Sequence, residues 1–566
     1  MRSDGQLPSP GLYEIRGPDR PHNAAPLPDE AATSASTETP SRTGFVGDQS
    51  HLAVESCAKN QVDALEAHIS ELPNNLDEFT QNILRASEAL VLPGDSIIRA
   101  MHDLYRDHAF HRLPVIGETD LLSPGHGSTL LCLAVLVVGS LLRHPHNKKT
   151  PGPLAFPYYR NAKLLLNLEV EPDNLNRLKA MCLLSSWSMC TPSKVTLDSP
   201  WHWNGVSLRL AIQMGLHRRT TYSGRSDTGV SRRVWWTIYG NNVLQAVCFG
   251  RPLPIRAEDF DIELPKLEDF QTLNDASLCF IEFSKLVVIM ASIVEASIKR
   301  RHQSHFDVTD IVTGLQAWVR ELNPRFKLQD RGRRLQYSRP GSELHIMYCV
   351  CVILFLSLPG NLHQKNVADQ GNLLAASCIA RLYEEMGHRD DINFLLPIHD
   401  YFAMVAGAQL IAALRLPSTQ SDRLREDLGI IKDSMLATMS LKWPGAKAVL
   451  IRLQYLEQNA ASTICPETGS NDVMGHREPE RPIQGSHLPN HILQSLLPFS
   501  NIFCGVQLPT SNVSVFPSLA GQADHPNPNT FDMVTPWILN DECLDMDAFD
   551  CTTWVNFDNL TSLDHI

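Results

Sequence analysis

Cysteine is present in this chain but never in a metal-binding spacing. The thirteen cysteines run from Cys57 to Cys551, and no pair has the two-residue interval that lets both thiolates grip one zinc ion. Cys349 and Cys351 fall in an apolar run, where small thiols are commonly buried. This scatter predicts a reduced intracellular chain rather than a disulfide scaffold. Positive charge is also scarce: 49 Lys and Arg stand against 62 Asp and Glu, a net charge of -13, which excludes binding nucleic acid through the overall field. The first sixty residues hold five basic side chains among more acids and form no basic arm. From Pro482 onward there is no Lys or Arg at all. Long apolar runs are missing too. The longest, Leu130 to Leu142, is thirteen residues against the roughly 18 to 20 that span a bilayer, so it reads as a core helix. No charged-then-apolar leader opens the sequence, and no membrane association is expected.

Catalytic signatures are lacking as well. No Gly-x-Ser-x-Gly elbow occurs. The Gly-His-Gly-Ser-Thr stretch at Gly125 to Thr129 lacks the third glycine of a dinucleotide loop and the lysine of a phosphate loop, so it reads as a turn before the Leu130 helix. His-Arg-Asp at His388 to Asp390 has the wrong asparagine spacing for a kinase catalytic loop and reads as a polar helix end. His102, His108 and His111 lie close in sequence, but no HExxH or carboxylate pattern completes a metal site. These absences predict a protein that is not an enzyme.

What is present is a foldable middle between two unpatterned ends. A composition 43% hydrophobic and 20% charged is enough for a sizeable core. Residues 1–60 are rich in Pro, Ser, Thr and Ala without a sustained apolar period and are expected to be disordered. From about 61 to 460, apolar residues recur every three or four positions, as in DSIIRAMHDLYRDHAF, where Asp95 or Ser96 is a candidate cap, and GNLLAASCIARLYEEMGHR. Strand alternation is rare. The predicted fold class is therefore all-α, one large multi-helix domain flanked by disordered N- and C-terminal segments. Residues 461–566 are expected to form a disordered tail. Its last part, 531–566, mixes acids with Phe531, Trp537, Phe549, Trp554 and Phe557. Repulsion between the acids keeps such aromatics available for a partner's groove, the physical logic of an acidic activation segment. A solvated tail whose aromatics pack back on the domain is the alternative. The basic runs near Arg300 and Arg333 read either as nuclear localisation signals or as solvated helix ends.

The densest signal is Ser231 to Pro265, SRRVWWTIYGNNVLQAVCFGRPLPIRAEDFDIELP. On a helix from Arg232, Trp235, Ile238, Tyr239, Ala246 and Phe249 share one broad face, while Trp236, Val243 and Val247 line another, so the helix should be largely buried. Gly250 suits the left-handed C-terminal position, and Pro252 cannot continue the helix. The acidic Ala257 to Pro265 stretch then leaves as an extended loop. By this physics the stretch is a core helix rather than a small-molecule site.

Arg232-Arg233-Val234-Trp235-Trp236-Thr237-Ile238-Tyr239, followed by Gly250-Arg251-Pro252-Leu253 and Asp259-Phe260-Asp261-Ile262-Glu263-Leu264-Pro265, resembles the signature of the fungal-specific transcription factor domain, the middle regulatory region of fungal zinc-cluster regulators. Gly215-Leu216-His217-Arg218 and the segment from Leu104 to Ile116 are similar to upstream parts of that family, and the resemblance covers about residues 95–460. It makes Arg233, Trp235, Trp236, Tyr239, Gly250, Arg251, Pro252, Asp259, Asp261 and Pro265 the signature positions, with a structural role. Asn242-Val243 stands where the family usually has Asp-Arg. The family's six-cysteine zinc cluster has no counterpart here, since Cys57 is the only cysteine before Cys132, so no residue is a candidate for reading DNA bases or binding a metal.

The resemblance implies a nuclear, pathway-specific transcription regulator, of a secondary-metabolite biosynthetic gene cluster. It would reach promoter DNA directly or through a zinc-cluster partner. Its tail residues Trp537, Phe549, Trp554 and Phe557 would contact the transcription machinery or a co-activator. No cofactor is expected in this chain itself, and a homodimer is compatible. A co-regulator lacking its own DNA-binding module, or a truncated gene model, explains the missing cluster equally well. An uncharacterised α-helical enzyme is the third reading.

Overall fold

The computed structural model describes Phe45 and residues 77–501, apart from 118–119, 121–126, 145–150, 192–193, 302–307, 331, 359–364, 416–420 and 463–489. The first half is built from α1 (Glu78–Ser87), α2 (Asp95–His108), α3 (Thr129–Leu142), α4 (Pro151–Asn167), α5 (Asn174–Leu184), α6 (Pro200–Gln213) and α7 (Thr228–Phe249). The second half contains α8 (Asp275–Arg301), α9 (Thr309–Glu321), α10 (Arg339–Leu356), α11 (Lys365–His388), α12 (Ile398–Leu414) and α13 (Ser421–Gly429). A π-helical turn (Ile430–Leu436) then leads to α14 (Ala437–Met439), α15 (Pro444–Ser462) and α16 (Asn490–Leu496). The protein is mostly helical, as the periodicity predicts.

Side-chain oxygens start several of these helices by accepting from otherwise unpaired N–H groups: Asp77 from Thr80 at 2.7 Å, Ser128 from Leu131 at 3.2 Å, Ser338 from Gly341 at 3.3 Å. In α2 the capping position is Gly94, without a side-chain bond, and Asp95 sits inside the first turn rather than at the cap.

Two helices organise the packing. α3 is buried from Leu130 to Leu142 and packs against α2, α4 and α5. Gly139 allows that closeness, since a Cβ there would lie 2.3 Å from the Met101 carbonyl oxygen. α10 is buried along almost its whole length and packs against α8 and α11. α7 joins the two halves, touching α5, α6, α8 and α12. Asp275–Lys299 and Arg339–Leu356 have the length and hydropathy of a bilayer span, but 72% and 94% of their apolar windows are buried inside the protein, so both serve as core helices.

The structure corrects two expectations. The basic run at Arg333 is not a helix end: Arg333 and Arg334 form a short strand (β2) paired antiparallel with Gln329–Asp330 (β1). The domain does not stop at 460, because α16 and the residues after it bury Leu493, Leu496, Leu497 and Phe499 in the core. The tail residues Trp537, Phe549, Trp554 and Phe557, and the head 1–60 apart from Phe45, lie outside the described residues.

Candidate functional site

The two faces of α7 carry the signature residues into the interior. Trp235 is fully buried, and Trp236 and Tyr239 nearly so. All three rings surround Phe260 edge-on, at centroid distances of 5.4, 6.0 and 4.8 Å. Burial pushes the Tyr239 hydroxyl up from its ordinary value. Phe260 reaches this position because the acidic loop turns back instead of leaving. The Asp261 N–H donates to the His217 carbonyl at 3.1 Å, Asp261 Oδ1 accepts from the Arg219 N–H at 2.7 Å, and Trp236 Nε1 donates to the Glu263 carbonyl at 2.7 Å. The loop is thus pinned to α7 and to the turn after α6, and Pro265 at its end is buried. This corrects the expectation of a departing loop. Its apolar anchors, Phe260, Ile262 and Pro265, are too few and too irregularly spaced to produce a periodic signal.

Gly250 ends α7 with φ 62° and ψ 22°, and its N–H returns to the Ala246 carbonyl, a left-handed cap that glycine adopts without steric cost. Arg251 follows with its guanidinium over Trp201 at 4.5 Å and Phe249 at 4.8 Å. Pro252 and Asp259 are exposed; Asp259 closes a local turn by accepting from the Arg256 N–H at 2.8 Å. Arg233 is buried against the Phe270 ring at 5.1 Å, and burial lowers its pKa. Asn242 is buried and donates to the Ile238 carbonyl at 2.8 Å, so at the position that departs from the family pattern a neutral amide is satisfied by backbone.

A second constellation lies outside anything the sequence points to. Glu343 of α10 is buried, accepting from His111 Nε2 at 3.0 Å and lying 3.5 Å from His399 Nε2 and from Arg339 Nη1. His399 Nδ1 meets the Tyr383 hydroxyl at 3.0 Å. Arg339 Nη2 donates to the Asp107 carbonyl at 2.9 Å, and Arg112 stacks on Phe283 at 3.8 Å. Burial works against the ionised form of Glu343, but His111, His399 and Arg339 together outweigh it and hold the carboxyl well below the usual range. Burial lowers both His111 and His399 despite the carboxylate, and nearby positive charge adds to it: Arg339 and Arg112 at His111, Arg112 and His111 at His399. The network ties the turn after α2 to α10, α11 and α12. His111 and Glu343 are 232 positions apart in the chain, so no spacing rule brings them together.

Among the described residues there is no site for the zinc associated with the resembled family. Among the described residues no group of three or more His, Cys, Asp and Glu is placed to hold a metal ion. None of the described cysteines is in a disulfide; burial pushes the Cys132 thiol up to about 11 and raises Cys182, Cys279 and Cys351 further, away from the thiolate a metal needs.

Comparison with known proteins agrees with this architecture. The model of the fungal specific transcription factor domain matches residues 103–311, a span that holds α7, its glycine stop and the folded-back loop. Over that span the chain is similar to a family of transcription factors. Among its relatives is cutinase transcription factor 1 alpha of Fusarium vanettenii, 25% identical over 403 residues, 63% of this chain and 43% of that protein. The acetamidase regulatory protein of Aspergillus fumigatus is 28% identical over 328 residues, 54% of this chain and 42% of that protein. Activator of stress genes 1 of Saccharomyces cerevisiae is 24% identical over 375 residues, 59% of this chain and 37% of that protein. The chain therefore spans less than half the length of these relatives. No solved structure matches it significantly.

Proposed function

We propose that this chain is a fungal transcription regulator whose helical domain acts as the regulatory body and whose acidic tail contacts the transcription machinery. The observation that carries this reading is the aromatic cluster of α7 with its pinned loop, inside the span matched by the transcription factor family. The relatives are named for cutinase, acetamidase and stress genes, which are defined gene sets, and this supports a pathway-specific regulator, here of a biosynthetic gene cluster. It works in the nucleus and engages promoters directly or through a zinc-cluster partner. In this reading, Trp537, Phe549, Trp554 and Phe557 are the activation side chains, and the ten signature residues around α7 serve structure.

Deletion of the coding sequence followed by transcript profiling tests the proposal. The expected result is a change confined to a contiguous set of genes. An unaltered transcriptome across growth conditions in which the chain is expressed would overturn it.

A further inference from the structure

The segment after residue 489 packs as a bound peptide would. α16 has seven residues, too few for a helix to persist alone in water, so its fold is imposed by what it lies on. It rests on α9, α10 and α11. Leu493, Leu496, Leu497 and Phe499, at intervals of three, one and two residues, all point into that surface and are almost completely buried. Gly371 of α11 forms the floor: a Cβ there would lie 2.8 Å from a Leu493 methyl. One wall is Trp318 stacked on Tyr348 at 4.9 Å, and Phe499 meets His345 edge-on at 5.1 Å.

The polar contacts are those a helix end requires. The last carbonyls of a helix have no partner within it. Here Tyr348 donates its hydroxyl to the Leu496 carbonyl at 2.7 Å, and Gln329 donates Nε2 to the Pro498 carbonyl at 2.7 Å. Gln316 Nε2 donates to Ser495 Oγ at 2.8 Å. Two of the three donors read backbone, and the apolar floor reads the leucine spacing, a division of labour typical of grooves that take short helices.

We propose that α9, α10 and α11 form a helix-binding groove for short peptides of the pattern Leu-x-x-Leu-Leu-x-Phe, occupied in this chain by its own residues 490–501, which thereby fasten the start of the C-terminal tail to the domain. A second protein presenting that pattern on a helix would compete for the same groove. The inference is independent of the transcription reading, since it concerns only how this segment is held.

The test uses the full chain with a site-specific protease sequence substituted within residues 470–476. After cleavage, gel filtration should show the fragment carrying residues 490–566 co-eluting with the body. Leu493→Asp should release it, while the body remains folded with an unfolding midpoint lower than that of the intact complex. Gln316→Ala combined with Gln329→Ala removes two hydrogen bonds without touching the apolar seat and should speed release by about tenfold. An excess of a synthetic peptide of residues 488–501 should displace the wild-type fragment. A wild-type fragment that separates on cleavage, a Leu493→Asp fragment that stays, an unaltered release rate in the double variant, or a fragment that resists the peptide would each overturn the proposal.

Discussion

Replacing Trp235 by alanine removes the largest fully buried ring of α7. A tryptophan side chain buries roughly 150 to 250 Å², worth about 4 to 6 kcal/mol at about 25 cal/mol per Å², and measured Trp-to-Ala changes in cores cost about 3 to 5 kcal/mol. The lower part of that range applies here, because the Trp235 Nε1–H has no hydrogen-bond partner among the described residues and its removal relieves a desolvated donor. The expected loss is about 3 kcal/mol, and it should extend to the acidic loop, since Phe260 packs on this ring. Urea unfolding followed by helical circular dichroism measures the first effect; protection of the Asp261 amide from hydrogen exchange measures the second, because that N–H is held by the His217 carbonyl. Trp236→Phe is the comparison: it keeps the aromatic ring but deletes the donor to the Glu263 carbonyl and should cost about 1 kcal/mol. An unchanged midpoint for Trp235→Ala, or a larger loss for Trp236→Phe than for Trp235→Ala, would refute the assignment of Trp235 as the centre of this cluster.

The buried histidines give a pH dependence of definite sign. His111 and His399 have folded pKa values below the ordinary 6.5, so the unfolded chain binds more protons, and the stability they allow is present above pH 6.5 and lost as pH falls through that value. The contribution of these histidines to the melting temperature should therefore fall between pH 7.5 and 5.5, and His111→Gln should remove part of that fall; an unchanged pH profile in this variant would contradict the neutral, buried assignment of His111. Asp400 behaves oppositely. Burial pushes its carboxyl up to about 7, so the folded chain binds the extra proton and stability is lost as pH rises toward 7, which predicts that Asp400→Asn stabilises at pH 8 and has no such effect near pH 4. Changing Trp537, Phe549, Trp554 and Phe557 together to alanine leaves the tail's charge intact and should abolish reporter activation by a tethered tail; full output would make the aromatics incidental.

The parts of the molecule that were legible in the sequence are those that repeat. The apolar period of α7 placed Trp235, Trp236 and Tyr239 inside, and Gly250 with Pro252 marked its end, because both effects are local to the backbone. The returning loop was not legible, since it is held by the Trp236 indole N–H and by backbone groups that any sequence carries. The Glu343 network was hidden for a different reason: His111, Glu343 and His399 meet only through the tertiary packing of α10 against its neighbours. α16 was missed because two turns of helix are too short to show a period, and its order comes from the groove.

The most direct test of the central claim is genome-wide chromatin occupancy of this chain, tagged and expressed in a fungal host that lacks the native copy. The account predicts discrete promoter peaks, with a shared DNA motif beneath them that belongs to this chain or its partner. A chain absent from chromatin under every growth condition in which it is expressed would contradict it.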